Sequence, residues 1–356
     1  MALLIWVLMR GLKRNRIKEL QFVLIGLFPF VLSAQELLPL KELNILFYNT
    51  ENFFDVVDDT LTHDEEFLPE GSRFWSLKRF EKKRNDIAKV IIASCGYHVP
   101  AIVGLAEIEN RYVLEALTGD GPLASFHYRI IHKESPDERG IDVALLYRPD
   151  VVSPFLYTYL PLKDEHGQIM LTREILYAGF NTASGDTLHV FFNHWPSRYS
   201  GQAETEPQRM IAALTLRQYL DGLFKTDKSP SIVIMGDFND QPQNRSMAEV
   251  LEAKAGNKSG KPGEIINLSV HWRPAGTLKF RQSWQIFDQI LVSGFLLDRD
   301  RLYTKAGWAT IVSNDFLLEP DPNFKGKRPF RTYQGYRYHH GISDHLPVRL
   351  KLIVSY

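Results

Sequence analysis

The sequence predicts an α+β protein in which two layers of β-sheet are flanked by helices, rather than a doubly wound parallel sheet. Three observations predict it: short apolar runs rich in β-branched and aromatic residues recur along the chain, two long amphipathic segments separate only some of them, and no Pro/Gly/Ser linker divides the whole. The runs that read as strands are residues 43–48, 101–106, 128–131, 141–147, 188–193, 231–235, 287–292 and 346–354. Of the amphipathic segments, 74–93 places Leu77, Phe80, Ile87, Val90 and Ile91 on one helical face. Segment 206–224 does the same with Met210, Leu214, Leu220 and Phe224, so each helix can cover a sheet. Segments 58–73 and 315–338 are polar and turn-rich, which reads as surface loops that shape access to a site.

At 356 residues and 44% hydrophobic, the chain can bury a large core, and its composition excludes disordered, collagenous and repeat classes. Residues 1–34 read differently from the rest. Arg10, Lys13, Arg14, Arg16 and Lys18 precede an apolar run over 20–32 that ends in Ser33-Ala34-Gln35. That run contains Pro29 and reaches only half to two-thirds of the roughly 20 residues a membrane helix needs. The expectation is a signal peptide over 1–34, cut after Ala34, and a single domain over 36–356. The protein is then exported, periplasmic or extracellular, with no stable membrane span after processing, and membrane-associated if the signal is uncleaved.

Lys+Arg and Asp+Glu both number 42, so the whole chain carries no charge that announces a polyanionic partner. Cleavage after Ala34 removes five basic residues and one acidic, leaving a formal charge of −4. A polyanion must therefore meet a local basic patch or a metal. The lone Cys95 lies in an apolar run without a partner for an internal disulfide and reads as buried and inert.

The chemistry concentrates where strands meet polar residues. Asn49 follows Ile45-Leu46-Phe47-Tyr48, Glu107 follows Val103-Gly104-Leu105-Ala106, and His194 follows Val190-Phe191-Phe192-Asn193. Asp237 and Asn239 follow Ile232-Val233-Ile234-Met235-Gly236, Asp288 opens a further strand, and Asp344-His345 precede the last one. Taken singly, Asn49 reads equally as a turn residue, Glu107 as a solvated helix N-terminus and Asp237 as an Asx-turn acceptor. Together they make a polar rim whose carboxylates and amide suit a hard, oxygen-preferring cation such as Mg²⁺. There is no paired-cysteine or His-x-x-x-His zinc spacing, no P-loop and no G-x-S-x-G elbow, and the adjacent His339-His340 reads as a loop feature.

In this order the motifs resemble the endonuclease/exonuclease/phosphatase superfamily, which includes deoxyribonucleases, abasic-site endonucleases, sphingomyelinases and inositol polyphosphate phosphatases. The resemblance spans residues 43–354 and rests on Gly236-Asp237-Phe238-Asn239-Asp240, Ser343-Asp344-His345-Leu346-Pro347-Val348 and Asn193-His194-Trp195-Pro196-Ser197-Arg198. Gly140-Ile141-Asp142-Val143-Ala144 and Phe287-Asp288-Gln289-Ile290-Leu291 back it. The stretch Gly104-Leu105-Ala106-Glu107-Ile108-Glu109-Asn110-Arg111, with Ala106 where many members carry glutamine, looks closest to secreted bacterial nuclease-like members.

The resemblance implies a deoxyribonuclease-I-like four-layer α/β/β/α sandwich of two mixed β-sheets flanked by helices. It implies that Glu107, Asn49 and Asp344 bind the metal, Mg²⁺ with Mn²⁺ or Ca²⁺ as alternatives. Asp237 is then the base that activates water, and Asn239 holds the phosphate or the water. His345 is kept protonated by Asp288, and His194 is a second phosphate contact or proton donor.

Arg139 and Arg198 lie beside two of the motifs and can clamp a phosphate in bidentate fashion, or serve as ordinary surface arginines. Asp142 reads as a structural acceptor, and Trp195 and Trp284 as packing residues rather than base-stacking ones. The leading functional expectation is an exported Mg²⁺-dependent phosphodiesterase, a nuclease whose partner is its nucleic-acid substrate. It is expected to be monomeric, with no protein partner. A phosphatase or sphingomyelinase-like phospholipase is the second reading, and a catalytically inactive binding protein of the same fold is the third. A basic or aromatic groove beside the rim discriminates for nucleic acid, and an exposed apolar hairpin for a lipid.

Overall fold

In the computed structural model, which describes residues 41–256, 263–272, 275–298 and 301–355, alternating apolar residues decide which face each strand buries. In the first strand, β1 (Lys41–Phe53), Leu43, Ile45 and Phe47 face one core while Leu46 and Tyr48 face another. The chain continues through α1 (Leu77–Ala93), β2 (Ile102–Ile108), α2 (Arg111–Gly119), β3 (Arg129–Ile131), β4 (Asp142–Tyr147), β5 (Val152–Leu160), β6 (Ile175–Thr182), β7 (Thr187–His194), α3 (Gln202–Thr226) and β8 (Ile232–Asp237). Short strands follow as β9 (Ala253–Ala255), β10 (Ile265–Asn267), β11 (Leu278–Phe280) and β12 (Ser283–Gln285), then β13 (Asp288–Ser293). The last are β14 (Leu302–Tyr303), β15 (Ala309–Ile311), β16 (Leu318–Pro320), β17 (Lys327–Pro329), β18 (Tyr333–Gln334), β19 (Arg337–Tyr338) and β20 (Val348–Val354).

Among the described residues, one sheet runs β14-β20-β1-β2-β4-β3 with β15 also on β20, and the other runs β5-β6-β7-β8-β13-β10-β9. Both are mixed: β1/β2 and β7/β8 are parallel, whereas β1/β20 and β8/β13 are antiparallel. Ile45, Phe47 and Leu145 of the first sheet bury against Val190, Phe192 and Met235 of the second. On the outer faces, Phe80, Ile87 and Val113 of α1 and α2 join Leu46 and Val103, and Ala212 and Leu216 of α3 join Phe191 and Ile234. The result is the four-layer α/β/β/α sandwich. The sheets approach closely at Gly104, where a Cβ would lie 2.2 Å from the Phe192 ring.

Strand β6 and helix α2 were absent from the sequence expectation, and three further features differ from it. Strand β5 was hidden by Pro154, which sits at a bulge on the sheet's edge, where a missing N–H breaks no ladder. Helix α3 does not bury the stripe through Met210 and Leu214: Leu214 is 49% exposed, and the inward stripe is Thr205, Arg209, Ala212, Ala213, Leu216 and Leu220. A charged residue can occupy that stripe because Arg209 Nε meets Asp240 Oδ2 at 3.0 Å. Segment 315–338 is not only a surface loop, for it carries the β16–β17 and β18–β19 hairpins and supplies buried contacts to the site. The signal peptide expected over 1–34 lies outside the described residues, among which no helix is long and apolar enough to cross a membrane.

Candidate active site

Strand direction gathers the polar residues. Strands β1, β2, β7 and β8 deliver their C-terminal ends to one rim, and β13 and β20, running opposite to their neighbours, deliver their N-terminal ends to it. Register then aligns the side chains: His194 pairs across from Asp237, and Asp237 across from Asp288. In the first sheet Asn49 lies opposite Ala106, and Glu107 falls in the bulge just after it. Glu51, Asn52, Glu107 and Asn239 all hold positive φ, at 53°, 59°, 59° and 49°. Such concentrated backbone strain marks a site that the surrounding fold over-determines.

The contacts join the two sheets. The Asn49 amide donates to Glu107 Oε1 at 3.2 Å and to Asp237 Oδ2 at 3.1 Å. Glu107 Oε2 accepts the Asn52 N–H at 2.9 Å, and Asp237 Oδ1 accepts the Asn239 N–H at 2.9 Å. His194 Nε2 stands 3.8 Å from both Glu107 Oε1 and Asp237 Oδ2, and His345 Nε2 stands 3.7 Å from Asp237 Oδ2. On its far side, His345 Nδ1 donates to Asp288 Oδ2 at 2.7 Å. Asp344 faces Arg331 Nη2 at 3.0 Å. Every metal or catalytic candidate from the sequence thus lies on this rim, with Asn239 donating its side-chain amide to Trp195 O at 3.0 Å.

Electrostatics distinguish the two imidazoles. Burial pulls His345 down, but Asp288 and Asp237 outweigh it and hold the ring well above its ordinary value, as an imidazolium. Burial, together with Arg173, Arg139 and His345, drives His194 well below its ordinary value, so it is a neutral ring. His194 is therefore suited to phosphate contact, not to supplying a proton. Burial raises Asp237 to about 6, against the pull of His345, which leaves a carboxylate basic enough to take a proton from water.

The residues present fit a divalent cation. Glu107 is held by two N–H donors, and no Lys or Arg among the described residues lies within ion-pair distance of it. Beside it at the rim stands the Asp237 carboxylate, bridged to Glu107 by the Asn49 amide, whose nitrogen faces both acids while its Oδ1 accepts Glu51 N at 3.0 Å. A partly exposed carboxylate with no Lys or Arg counter-ion, beside a second carboxylate, is the arrangement a hard cation neutralises. Ligand atoms close enough together to share one ion occur in Asp237, Asp288 and His345 on the rim, and again in His132, Glu134 and Asp142. There Asp142 accepts from His132 Nε2 at 2.8 Å and Ser135 N at 2.7 Å, the structural role read from its sequence.

The two arginines part company. Arg198 is no phosphate clamp, because its donors are taken by Asn239 O at 2.5 Å, Asn244 Oδ1 at 3.0 Å and Gln202 Oε1 at 2.8 Å, besides the Asp240 carboxylate. It braces the Asp237–Asp240 loop from behind. Arg139 is 49% exposed, pairs among the described residues with Asp137 alone, and lines a cleft with Arg173, Thr172 and Ser197. Its guanidinium is the one left facing outward.

Sequence reasoning missed a buried network beneath Asp344. Glu51 accepts from Thr332 N at 2.7 Å and Arg331 Nη2 at 3.2 Å, and Lys83 Nζ donates to Glu51 O at 2.5 Å, Thr332 Oγ1 at 2.6 Å and Ile342 O at 3.1 Å. Burial and Asp344 push Glu51 up to about 7. Lys83 left a trace in the sequence, since it interrupts the stripe Phe80, Ile87, Val90 at an inward position. Arg173 was also missed: buried, it donates to Asp137 Oδ2 at 2.7 Å and to Trp195 O at 2.8 Å, steadying the residue after His194.

The model of the Endonuclease/Exonuclease/phosphatase family matches residues 44–353. The chain belongs to that family, and so to the divalent-metal-dependent phosphoric ester hydrolases. Among solved structures it is similar to the mannosyl-6-phosphatase Bt3783 of Bacteroides thetaiotaomicron VPI-5482, with 18% identity, a TM-score of 0.55, and 87% of this chain and 99% of that one covered. It is similar to an endonuclease/exonuclease/phosphatase family protein of the same species, with 16% identity, a TM-score of 0.55 and coverages of 89% and 100%. TDP2 of D. rerio, complexed with single-strand DNA product, shares 13% identity, with a TM-score of 0.52 and coverages of 88% and 99%. At these identities the likeness is one of fold. No curated protein is similar enough in sequence to match.

Proposed function

We propose that this protein is an exported, Mg²⁺-dependent phosphodiesterase that hydrolyses nucleic acid. The observation that carries the phosphoester-hydrolase reading is Asp237: a buried carboxylate raised to about 6, with its Oδ2 between the neutral His194 ring at 3.8 Å and the His345 imidazolium at 3.7 Å. Glu107, Asn49 and Asp344 would hold the cation. When bound, it supplies Lewis-acid polarisation of the phosphoryl oxygen and offsets charge on the leaving oxygen.

The chain's own groups do the rest. Asp237 orients a water and takes its proton as the new P–O bond forms. The His345 imidazolium, fixed by Asp288, faces the phosphoryl oxygens and stabilises their gathering negative charge. Asn239 and the neutral His194 hold the phosphate in line. The P–O bond to the leaving group breaks with its electron pair on the departing oxygen, which water protonates.

The outward guanidinium of Arg139 on the His194 side supports an anionic substrate, whereas Arg331 on the Asp344 side is engaged by Glu51 and Asp344. The basic stretch and apolar run before Ala34 support export. Bis(p-nitrophenyl) phosphate turnover with Mg²⁺, Mn²⁺ or chelator, alongside plasmid DNA, RNA, sphingomyelin and phosphomonoesters, tests the reading. Diester and nucleic-acid cleavage that chelator abolishes is the expected result, with Asp237→Ala folded and slower by at least about 10²–10⁴-fold. Turnover of phosphomonoesters or sphingomyelin alone would transfer the assignment to a phosphatase or phospholipase, and no turnover of anything to an inactive binding protein.

A further inference from the structure

Beyond the catalytic rim, a cleft of about 540 Å³ opens at the start of α1, lined by Ser76, Lys78, Arg79, Lys82, Arg337, Tyr338 and His340. Four of these are permanent cations, and none of the described residues lining the cleft is a carboxylate. Their placement works against the helix they start. The first turn of α1 contains no acid, and its Ser76 cap makes no side-chain hydrogen bond, so Lys78 and Arg79 face the positive end of the helix dipole. Arg79 is held by the Arg73 and Phe74 carbonyls, each at 2.6 Å, and lies 4.2 Å from the Tyr338 ring centroid. Lys82 donates to Asp86 at 2.5 Å and to His340 O at 2.9 Å. Lys78 and Arg337 are exposed, with no ion pair among the described residues.

Aromatic surface accompanies the charge. Phe74 is 64% exposed and Tyr336 62%, and Arg73 stacks 5.4 Å from the Tyr336 ring centroid. The cleft is also tied to the active site. Lys82 and Lys83 are consecutive on α1; the first holds the His340 carbonyl, and the second holds Ile342 O and Glu51 O beneath Asp344.

We infer that this cleft is a binding site for the phosphate backbone of a single-stranded polynucleotide whose scissile bond lies at the rim, with Phe74 and Tyr336 as stacking surfaces for its bases. The inference rests on the nucleic-acid reading above and gives a chain of formal charge −4 after export its local basic patch. A membrane surface would also attract cations and aromatics, but a concave site with its cations around a cleft fits a strand better than a plane.

The test uses the full chain with Lys78→Ala and Arg337→Ala combined, two exposed residues that touch nothing catalytic. In chelator, binding of a fluorescent single-stranded oligonucleotide is titrated over a range of salt. In Mg²⁺, turnover of bis(p-nitrophenyl) phosphate is measured. We expect the double variant to bind on the order of ten-fold more weakly at 0.1 M salt, with the slope of log K against log salt reduced by about 1.4, and to keep its diester turnover. Equal affinity and slope in variant and wild type overturn the cleft, while oligonucleotide cleavage by wild type leaves the nuclease reading standing. Wild type that neither binds nor cleaves the oligonucleotide overturns both. Binding only to phosphatidylserine vesicles, lost in the double variant, reassigns the cleft to a membrane surface.

Discussion

Asp288 accepts the His345 Nδ1 proton through Oδ2 at 2.7 Å, while its Oδ1 is buried without a hydrogen-bond partner. Its value to the fold is therefore small beside its value to the imidazolium. Asp288→Asn keeps the volume and removes the charge, and His345 can then shed its proton. The loss of stability should fall short of the roughly 3–5 kcal/mol that follows when a permanent buried charge loses its partner. The expected outcome is a melting temperature a few degrees lower with kcat down by about 10²–10⁴-fold; wild-type kcat would remove the imidazolium from the reaction. Residues of this kind were legible in the sequence because chemistry placed them at strand ends, where an acid, amide or histidine interrupts an apolar run. Glu51, Lys83 and Arg331 were not, since each acts by finding a partner more than two hundred positions away in at least one contact. Arg198 misled for the opposite reason: adjacency to a motif says nothing of which way a side chain turns.

Elements carry the next layer of specification, and the Asp137–Arg173 pair shows how one is tied to another. Arg173, just before β6, is buried, and Asp137 lies in the loop leading to β4. Burial would raise Asp137, but Arg173 and Arg139 outweigh it, so its carboxyl lies below the usual range. A depressed folded value contributes stability that is present above the unfolded value of about 3.9 and is lost as pH falls through the lower folded one. Asp137→Asn should cost about 3 kcal/mol at pH 7 by leaving Arg173 uncompensated. In urea titrations, the gap between variant and wild type should close as pH drops below about 4. A gap of constant size from pH 7 to pH 3 would mean that charge contributes nothing there. Of the elements this pair connects, strand periodicity announced β4 and missed β6. Helix α2 escaped because it is one short run, although Asn110, whose side chain accepts the Val113 N–H at 3.1 Å, is its start signal.

Across the whole molecule, the active site is also the seam. Asn49, Glu107 and His345 stand on or beside strands of one sheet, and His194, Asp237 and Asp288 on strands of the other. Carboxylates from both sheets point into one small volume, so without a cation they oppose closure of the rim, and with one they are drawn together. Binding only to the closed form stabilises it by about 2.7 kcal/mol when the ion is at a hundred times its dissociation constant. For a domain this large that corresponds to about 5 °C in melting temperature. Saturating Mg²⁺ should therefore raise the unfolding temperature by about that amount over chelated protein. Glu107→Gln combined with Asp344→Asn should lose the Mg²⁺ response, while in chelator the repulsion it relieves is set against the Arg331–Asp344 pair it breaks. A double variant that keeps the full Mg²⁺ shift would place the ion away from the seam, and with it the chemistry assigned to Asp237 and His345.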